Sequence, residues 1–292
     1  MIAYLLVAGR IAASSWSAVA QKRLAQQGLS ASLIFAATMW VLSAVALPGL
    51  WWFPLAGLPL VFWTSMTISA ALDVPGNVLL ARSFGLTDLS LAGPLSCYKP
   101  VLGLVLAYFM LGERPTVWGL AGAAVIVAGS LALKSGSASG PLAAIVALGR
   151  DPGLRARGLS LVMTTAAVVF SKRAIVISSV GQAFVAWTFL SALFATVLWA
   201  WLRRRELGED GRLVRRSWAG LLGLAAVYVP LAWLSVVVLK LMFVGYALAL
   251  FQLSAVLNVV LGWRVFGERD LVRRLGASAV MVAGAAILIL GG

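Results

Sequence analysis

Residues 101–133, VLGLVLAYFMLGERPTVWGLAGAAVIVAGSLAL, return with changes at residues 256–288 as VLNVVLGWRVFGERDLVRRLGASAVMVAGAAIL. The two stretches align at an offset of 155 residues, and the same offset continues upstream in each half of the chain. Nearer the start of each half, the offset is 150. Identical residues coincide in the pairs Gly112/Gly267, Glu113/Glu268, Arg114/Arg269, Trp63/Trp218, Pro75/Pro230, Lys22/Lys172 and Arg23/Arg173. The chain is therefore predicted to contain an internal duplication.

The composition indicates that this duplicated chain lies in a membrane. Of its 292 residues, 62% are hydrophobic and 11% are charged, and the mean hydropathy is +1.01. Such a chain has too little polar surface for a water-soluble protein, and about 20 helical residues cross a hydrocarbon core of about 30 Å. On that scale the apolar runs predict ten transmembrane helices, at residues 2–22, 31–50, 59–82, 89–111, 117–134, 158–177, 181–202, 217–239, 244–266 and 270–290.

Each half of the chain holds five of these predicted helices. Since five is an odd number, the second half enters the membrane from the side opposite to the first. Inverted repeats of this kind place a binding site near the membrane midplane and rock around it. The predicted fold is an all-α membrane protein of ten transmembrane helices, arranged as two inverted five-helix repeats around a central cavity. The repeats are residues 1–134 and 158–292, and residues 135–157 are the linker.

The ends of the fourth and ninth predicted helices carry the most specific family signal. A helix ending in LGERPT and followed by WGLAGAAVIVAGSLAL, with a second copy ending in FGERD, resembles the EamA-type transporters of the drug/metabolite transporter superfamily. The resemblance covers essentially the whole chain. It implies a ten-helix bundle with a central cavity that exports or exchanges small metabolites, with amino acids as frequent substrates.

Three charged residues, Arg10, Asp73 and Lys99, lie inside the predicted membrane helices. A charge at bilayer depth costs about 2.5–3.5 kcal/mol on insertion scales, so it usually faces a partner or a water-filled cavity. Helical spacing extends these positions into polar stripes, and the offset of 155 places Tyr228 on Asp73 and Ser254 on Lys99. The predicted substrate-binding residues are Lys99, Asp73, Arg10, Ser14, Ser17, Asn77, Thr164, Tyr228, Ser254 and Asn258.

Other patterns concern helix shape and packing. Pro75 and Pro230 remove a backbone donor and can kink their helices, so they are predicted to act in gating. The glycine of each GER turn is predicted to end its helix, and the glutamate suits the dipole at the start of the next one. Small residues four apart predict close packing of helices five and ten, within the chain or in a homodimer: Gly119/Ala123, Ala124/Ala128 and Ala279/Ala283.

The charges leave more than one interpretation open. Two cations against one carboxylate favour a ligand with a carboxylate or a phosphate, and an amino acid fits if Asp73 or the neutral groups receive its ammonium. The same residues also fit an ion pair between Lys99 and Asp73 that fixes helices three and four, with Arg10 reaching to the membrane interface. A lysine held in low dielectric could also exchange a proton as the cavity alternates, which would couple transport to a proton gradient.

Absent residue types exclude several function classes. The sequence has no histidine and a single cysteine, Cys97, so an intramolecular disulfide and a histidine-based metal or catalytic site are excluded. It has no phosphate-binding GxxxxGK[ST] motif. The prediction is a secondary transporter of small polar metabolites, with no enzymatic activity, cofactor or metal. Its partners are a small-molecule substrate and membrane lipid, not nucleic acid. The alternatives are a transporter of organic or phosphorylated anions and a lipid scramblase.

The distribution of basic residues predicts the orientation. Of the 23 lysines and arginines, two lie inside the predicted helices and seventeen lie on the side away from the N-terminus. The remaining four, on the side of the N-terminus, are Arg114, Lys172, Arg173 and Lys240. The positive-inside rule then puts both termini outside the cytoplasm, whereas the resemblance implies the reverse. The expected location is a bacterial-type inner membrane.

Overall fold

The long apolar runs of the chain fold into helices, and every regular element in the residues that the structure describes is helical. The computed structural model describes residues 2–86, 95–134, 151–204, 207–254, 256–257 and 271–291. The helices in these ranges are α1 (Ile2–Gln26), α2 (Ala31–Ala46), α3 (Gly49–Trp52), α4 (Leu60–Leu86), α5 (Lys99–Leu111), α6 (Val117–Lys134), α7 (Pro152–Ile177), α8 (Val180–Arg203), α9 (Leu207–Arg216), α10 (Trp218–Leu241), α11 (Val244–Phe251) and α12 (Leu271–Gly291).

Several of these helices have the length and composition of membrane spans. Among the described residues, three helices are long and apolar enough to cross a bilayer, namely α7, α8 and α10. Shorter apolar helices occur at residues 31–46, 96–111, 117–132 and 278–291. The structure therefore agrees with a nearly all-helical integral membrane protein.

Capping residues explain where α2, α7 and α8 begin. The Ser30 hydroxyl accepts from the Leu33 N–H at 3.3 Å, and Ser179 and Gln182 form a capping box at the start of α8. The Asp151 carboxylate accepts from the Leu154 N–H at 2.9 Å. Proline at the first helical position completes this start signal. Helix α7 therefore begins at Pro152 and not at the predicted residue 158.

The first GER turn combines a local helix end with a long-range contact. Gly112 has a φ of 68° and ends α5, as expected from the sequence. Glu113, however, accepts from the Val244 N–H at 2.8 Å, so it caps α11 and not the next helix. The start of α6 is capped by Thr116, whose hydroxyl accepts from the Gly119 N–H at 3.0 Å. The expected dipole interaction exists, but with a helix more than 100 residues away in the sequence. The second GER turn lies outside the described residues.

The described part of the predicted fourth helix, from Leu95 onward, contains a change in helix type. A 3-10 turn occupies Ser96–Tyr98 and the α-helix begins at Lys99. Pro100 lies in the first turn of α5, where the missing N–H leaves no helical hydrogen bond unmade. Lys99 is therefore the first residue of α5, directly after the 3-10 turn. Residues 89–94 of the predicted helix, including Pro94, are outside the described ranges.

The chain divides into two compact units that are not consecutive in sequence. Unit 1 is formed by residues 1–78 and 170–240, and unit 2 by residues 79–169 and 241–292. Each unit thus takes segments from both halves of the chain.

In unit 1, helices α2 and α8 pack against each other in antiparallel directions. The Trp40 Nε1 donates to the Thr196 hydroxyl at 2.6 Å, and the Ser43 hydroxyl donates to the Thr188 carbonyl at 3.1 Å. As the position rises along α2, its partner position falls along α8. The C-terminal ends of α2 and α8 therefore lie at opposite ends of this helix pair.

In unit 2, helices α6 and α12 also pack in antiparallel directions, through glycines. A Cβ at Gly122 would meet the Leu288 nitrogen at 2.5 Å and the Gly284 oxygen at 2.8 Å, and a Cβ at Gly284 would meet the Ile126 nitrogen at 2.7 Å. The backbones thus approach each other directly. The alanine pairs that the sequence predicts for close packing lie outside this glycine contact, since Ala124, Ala128, Ala279 and Ala283 are exposed.

Two lysines in unit 1 bind the C-terminal ends of each other's helices. The Lys240 amine on α10 donates to the Ile175 carbonyl at 2.6 Å and to the Ser178 carbonyl at 2.8 Å, at the end of α7. The Lys172 amine on α7 donates to the Leu239 carbonyl, near the end of α10. Cations at helix C-termini offset the negative end of the dipole and satisfy open carbonyls. The ends of α7 and α10 are fixed side by side.

Candidate functional site

A polar cluster in unit 1 is built on α1, α4 and α10. Arg10 on α1 donates from Nε to the Ser235 hydroxyl of α10 at 3.2 Å. The Ser235 hydroxyl in turn donates to the Leu231 carbonyl of its own helix at 2.7 Å. Gly9, next to Arg10, also faces α10, since a Cβ there would lie 3.4 Å from the Leu234 side chain, about an ordinary van der Waals contact. Arg10 is thus directed at α10, inside the unit.

The carboxylate of the same cluster is oriented by its own helix. The Asn77 amide on α4 donates to the Asp73 carboxylate at 3.0 Å and to the Asp73 carbonyl at 2.8 Å. Tyr228 on α10 interacts electrostatically with both Asp73 and Arg10. The phenol of Tyr228 is therefore influenced both by a guanidinium and by a carboxylate. This arrangement offers hydrogen-bond donors and acceptors of both charges within apolar helices.

The predicted gating prolines stand next to this cluster in both helices. Pro75 lies inside α4, two residues after Asp73, and Pro230 lies inside α10, two residues after Tyr228. A proline inside a helix leaves the carbonyl four residues earlier without its helical donor. The two helices are therefore weakened at the level of the polar groups, on matched positions of the duplication.

The other predicted residues of α1 share a helix face with Arg10, and one of them forms a hydrogen bond within its own helix. Ser17 is buried, and its hydroxyl donates to the Ser14 carbonyl at 2.9 Å. Ser14 is half-buried. Six residues of the predicted set belong to unit 1, namely Arg10, Asp73, Asn77, Tyr228, Ser14 and Ser17.

A second polar cluster lies in unit 2, around the turn that precedes Lys99. The Arg157 guanidinium on α7 donates to the Ser96 hydroxyl, and the Gln252 amide, just after α11, donates to the Ser96 carbonyl at 2.8 Å. Both groups hold the 3-10 turn from which α5 and Lys99 begin. Arg157 is buried, with an exposed fraction of 8%. The position of the Lys99 backbone is therefore set by two long polar side chains from other helices.

The remaining predicted residues belong to unit 2 or lie outside the described ranges. Thr164 is buried on α7, and the Ser254 hydroxyl donates to the Phe251 carbonyl at 2.8 Å. Asn258 is outside the residues that the structure describes. Lys99, Thr164 and Ser254 are thus in a different unit from Arg10 and Asp73.

The sequence interpretation missed Arg157, Ser235, Ser96 and Gln252. Ser235 carries a usable signal, because it follows Tyr228 by seven residues and so shares its helix face. Arg157 precedes two buried residues, Ser160 and Thr164, at the same kind of spacing. It was assigned to a linker because the helix start at Pro152 was not recognised. Ser96 and Gln252 carry no comparable local pattern.

Ionisable groups inside apolar helices of membrane-spanning length are typical of membrane proteins that contain a substrate or ion path. Residues 1–134 match the model of the EamA-like transporter family, a member of the drug/metabolite transporter superfamily. This part of the chain is therefore similar to that family, in agreement with the resemblance carried by the first GER turn. Proteins of this family are membrane transporters and not enzymes.

A comparison with solved structures finds a protein with a similar fold. One crystal structure is similar with a TM-score of 0.73 at 19% sequence identity, over 99% of this chain and 97% of its own. At this identity the likeness concerns the fold alone. No curated protein matches the chain.

Proposed function

We propose that this protein is a secondary transporter that moves small polar metabolites, amino acids above all, by alternating access around a cavity at the membrane midplane. The observation that carries the proposal is the unit 1 cluster of Arg10, Tyr228 and Asp73 on three helices of an EamA-like fold. Ionisable groups are kept at such depth only at a cost, so they mark a substrate or ion path.

The helix bounds support the proposed ten-helix inverted repeat. Shifting the first half by the sequence offsets brings the start of each of four helices within three residues of the start of a helix in the second half. The matched pairs are α1 with α7 and α2 with α8 at an offset of 150, and α4 with α10 and α6 with α12 at 155. Two of these pairs, α2 with α8 and α6 with α12, are also in antiparallel contact. Antiparallel copies are what an inverted duplication requires.

The unit 1 cluster suits an amino acid better than a purely anionic or cationic ligand. The Arg10 guanidinium presents donors that match a carboxylate, and the Asp73 carboxylate accepts from an ammonium. Tyr228 can donate to or accept from either group. The alternative of an organic or phosphorylated anion gains support from the additional cations of unit 2, Lys99 and Arg157. Proton coupling through Lys99 is part of the proposal, as is gating at Pro75 and Pro230.

An uptake assay in liposomes separates these possibilities. Purified protein in vesicles is expected to take up a radiolabelled amino acid in preference to organic acids and sugar phosphates, and faster with a pH gradient than without one. Preference for the anions would favour the alternative substrate class. Uptake of none of them together with flipping of labelled lipid would contradict the proposal and favour a scramblase.

We also propose that both termini face away from the cytoplasm of a bacterial-type inner membrane, following the charge bias. A C-terminal alkaline phosphatase fusion is expected to be active, because this enzyme folds only outside the cytoplasm. A fluorescent protein fused at the same position should stay dark. The opposite result would show that the orientation follows the family and not the charges.

The exposed alanines of α6 and α12 are compatible with the proposed homodimer through these helices. Small side chains allow close contact between helices in lipid. Mass measurement of the purified protein in detergent tests this, since a monomer at all concentrations would contradict it.

A further inference from the structure

Helix α9, the short amphipathic helix between α8 and α10, has one buried and one basic face. The inner face comprises Asp210, Leu213 and Val214. Leu213 and Val214 pack against the core cluster that contains Leu24 and Leu221, and Asp210 is fully buried. The opposite face carries Arg212, Arg215 and Arg216, all exposed. These arginines follow the spacing of one helix face.

Asp210 anchors this helix to the end of α8. The Arg203 guanidinium donates to both Asp210 carboxylate oxygens, at 2.8 and 3.2 Å, and the Trp199 Nε1 donates at 2.8 Å. Burial opposes the ionised carboxylate, but these hydrogen bonds and the charge of Arg203 together hold the pKa of Asp210 below its usual value. The carboxylate therefore stays ionised at neutral pH, and its contribution to docking is lost only as the pH falls through that lowered pKa. The orientation of the basic face is thus fixed.

Aromatic residues on both sides of α9 mark its depth. Trp201 at the end of α8 and Trp218 at the start of α10 are exposed, at 67% and 60%. Tryptophan is enriched where hydrocarbon meets the headgroup region. Helix α9 connects two apolar helices of membrane-spanning length, so we expect its outer face at the level of the lipid headgroups.

The equivalent connection in the first half of the chain has no such charge. Helix α3 follows α2 as α9 follows α8, and it exposes Trp51 and Trp52 instead of arginines. Because α2 and α8 are antiparallel, α3 and α9 lie at opposite ends of unit 1. The basic face is therefore particular to one end of the unit.

We propose that the exposed face of α9 binds the headgroups of anionic phospholipids, with Arg212, Arg215 and Arg216 as the contact residues. Charge complementarity favours this partner, because α9 exposes three arginines and one acidic residue, Glu209. Each basic residue near an anionic membrane surface contributes about 1 kcal/mol of attraction. Arginine binds phosphate oxygens in pairs. This site is separate from the proposed transport residues and does not depend on them.

Lipid binding to the purified full-length protein tests the inference. Native mass spectrometry with phosphatidylglycerol and with phosphatidylcholine compares an anionic lipid with a zwitterionic one. The wild type is expected to retain phosphatidylglycerol preferentially. The variant Arg212→Gln/Arg215→Gln should bind it roughly 10- to 30-fold more weakly, as expected for the loss of two such contacts, with unchanged binding of phosphatidylcholine.

A matched control removes the same charge elsewhere. Arg114→Gln/Arg173→Gln takes away two exposed arginines that are not on α9, and it should keep the preference of the wild type. Equal loss in both double variants would overturn the site, since binding would then follow net charge. Full binding by the α9 variant, or equal binding of the two lipids by the wild type, would also overturn it. Circular dichroism confirms that each variant is folded.

Discussion

Replacing Arg10 by methionine is expected to abolish amino acid uptake while leaving the protein folded. The guanidinium contacts Ser235 and interacts with Tyr228, on a helix that also carries Pro230. Truncating one partner of a buried hydrogen-bonded charge pair, here Arg10 with the proposed substrate carboxylate, costs about 2–5 kcal/mol in binding, so the loss of uptake should be roughly 30-fold or more. Methionine keeps much of the length of the side chain and removes a charge that is costly in the membrane. The variant is therefore expected to be at least as thermally stable as the wild type.

Two comparisons make this result specific. Arg173→Met removes an exposed arginine from α7 and should leave uptake unchanged. Ser235→Ala removes the hydroxyl that accepts from Arg10 and should have an intermediate effect, because the charge remains. Lys99→Ala should also lose transport without loss of fold. Wild-type uptake by Arg10→Met together with raised stability would show that Arg10 is only a packing residue and would refute the site.

The second large effect is expected at Gly122, where α6 meets α12. A methyl group there would lie 2.5 Å from the Leu288 nitrogen and 2.8 Å from the Gly284 oxygen. These are backbone atoms, so they cannot move aside as a flexible side chain would. Overpacking typically costs about 1–3 kcal/mol, and occasionally more. Gly122→Ala should fall at or above the upper end of that range and lower the melting temperature in detergent by about 5–10 °C.

Gly223→Ala is the matched control for this substitution. Gly223 is exposed on α10, and a Cβ there meets no atom within 4 Å. Alanine has the higher helix propensity, by about 1 kcal/mol, so this variant should melt at the wild-type temperature or slightly above it. Fluorescence-detected size-exclusion chromatography after heating measures both. Equal melting of Gly122→Ala and the wild type would contradict the direct backbone contact.

The sequence was informative where a local pattern determines the structure. Gly112 was expected to end its helix and does so with a positive φ. The match between Asp73 and Tyr228 on the offset of 155 was also informative, because the two residues interact in unit 1.

Contacts between distant segments could not be predicted in the same way. Glu113 was expected at the start of the next helix, but its carboxylate reaches the Val244 N–H instead. Arg157 was counted among linker charges, yet it is buried on α7 and donates to Ser96. Neither residue type nor spacing distinguishes a solvated arginine from a buried one when the helix start is misplaced. The groups that hold the turn before Lys99, Arg157 and Gln252, could likewise not be predicted, because helix packing brings them there from distant parts of the sequence.

The reciprocal lysines of α7 and α10 bear on how insertion machinery would sense this chain. Lys172 and Lys240 are half of the four cations counted on the N-terminal side, and in the folded protein their amines bind helix carbonyls. A cation that neutralises a helix end presents little net charge to the membrane surface. On the predicted topology, these two lysines therefore present less charge on the side of the N-terminus in the folded protein than a count of basic residues suggests.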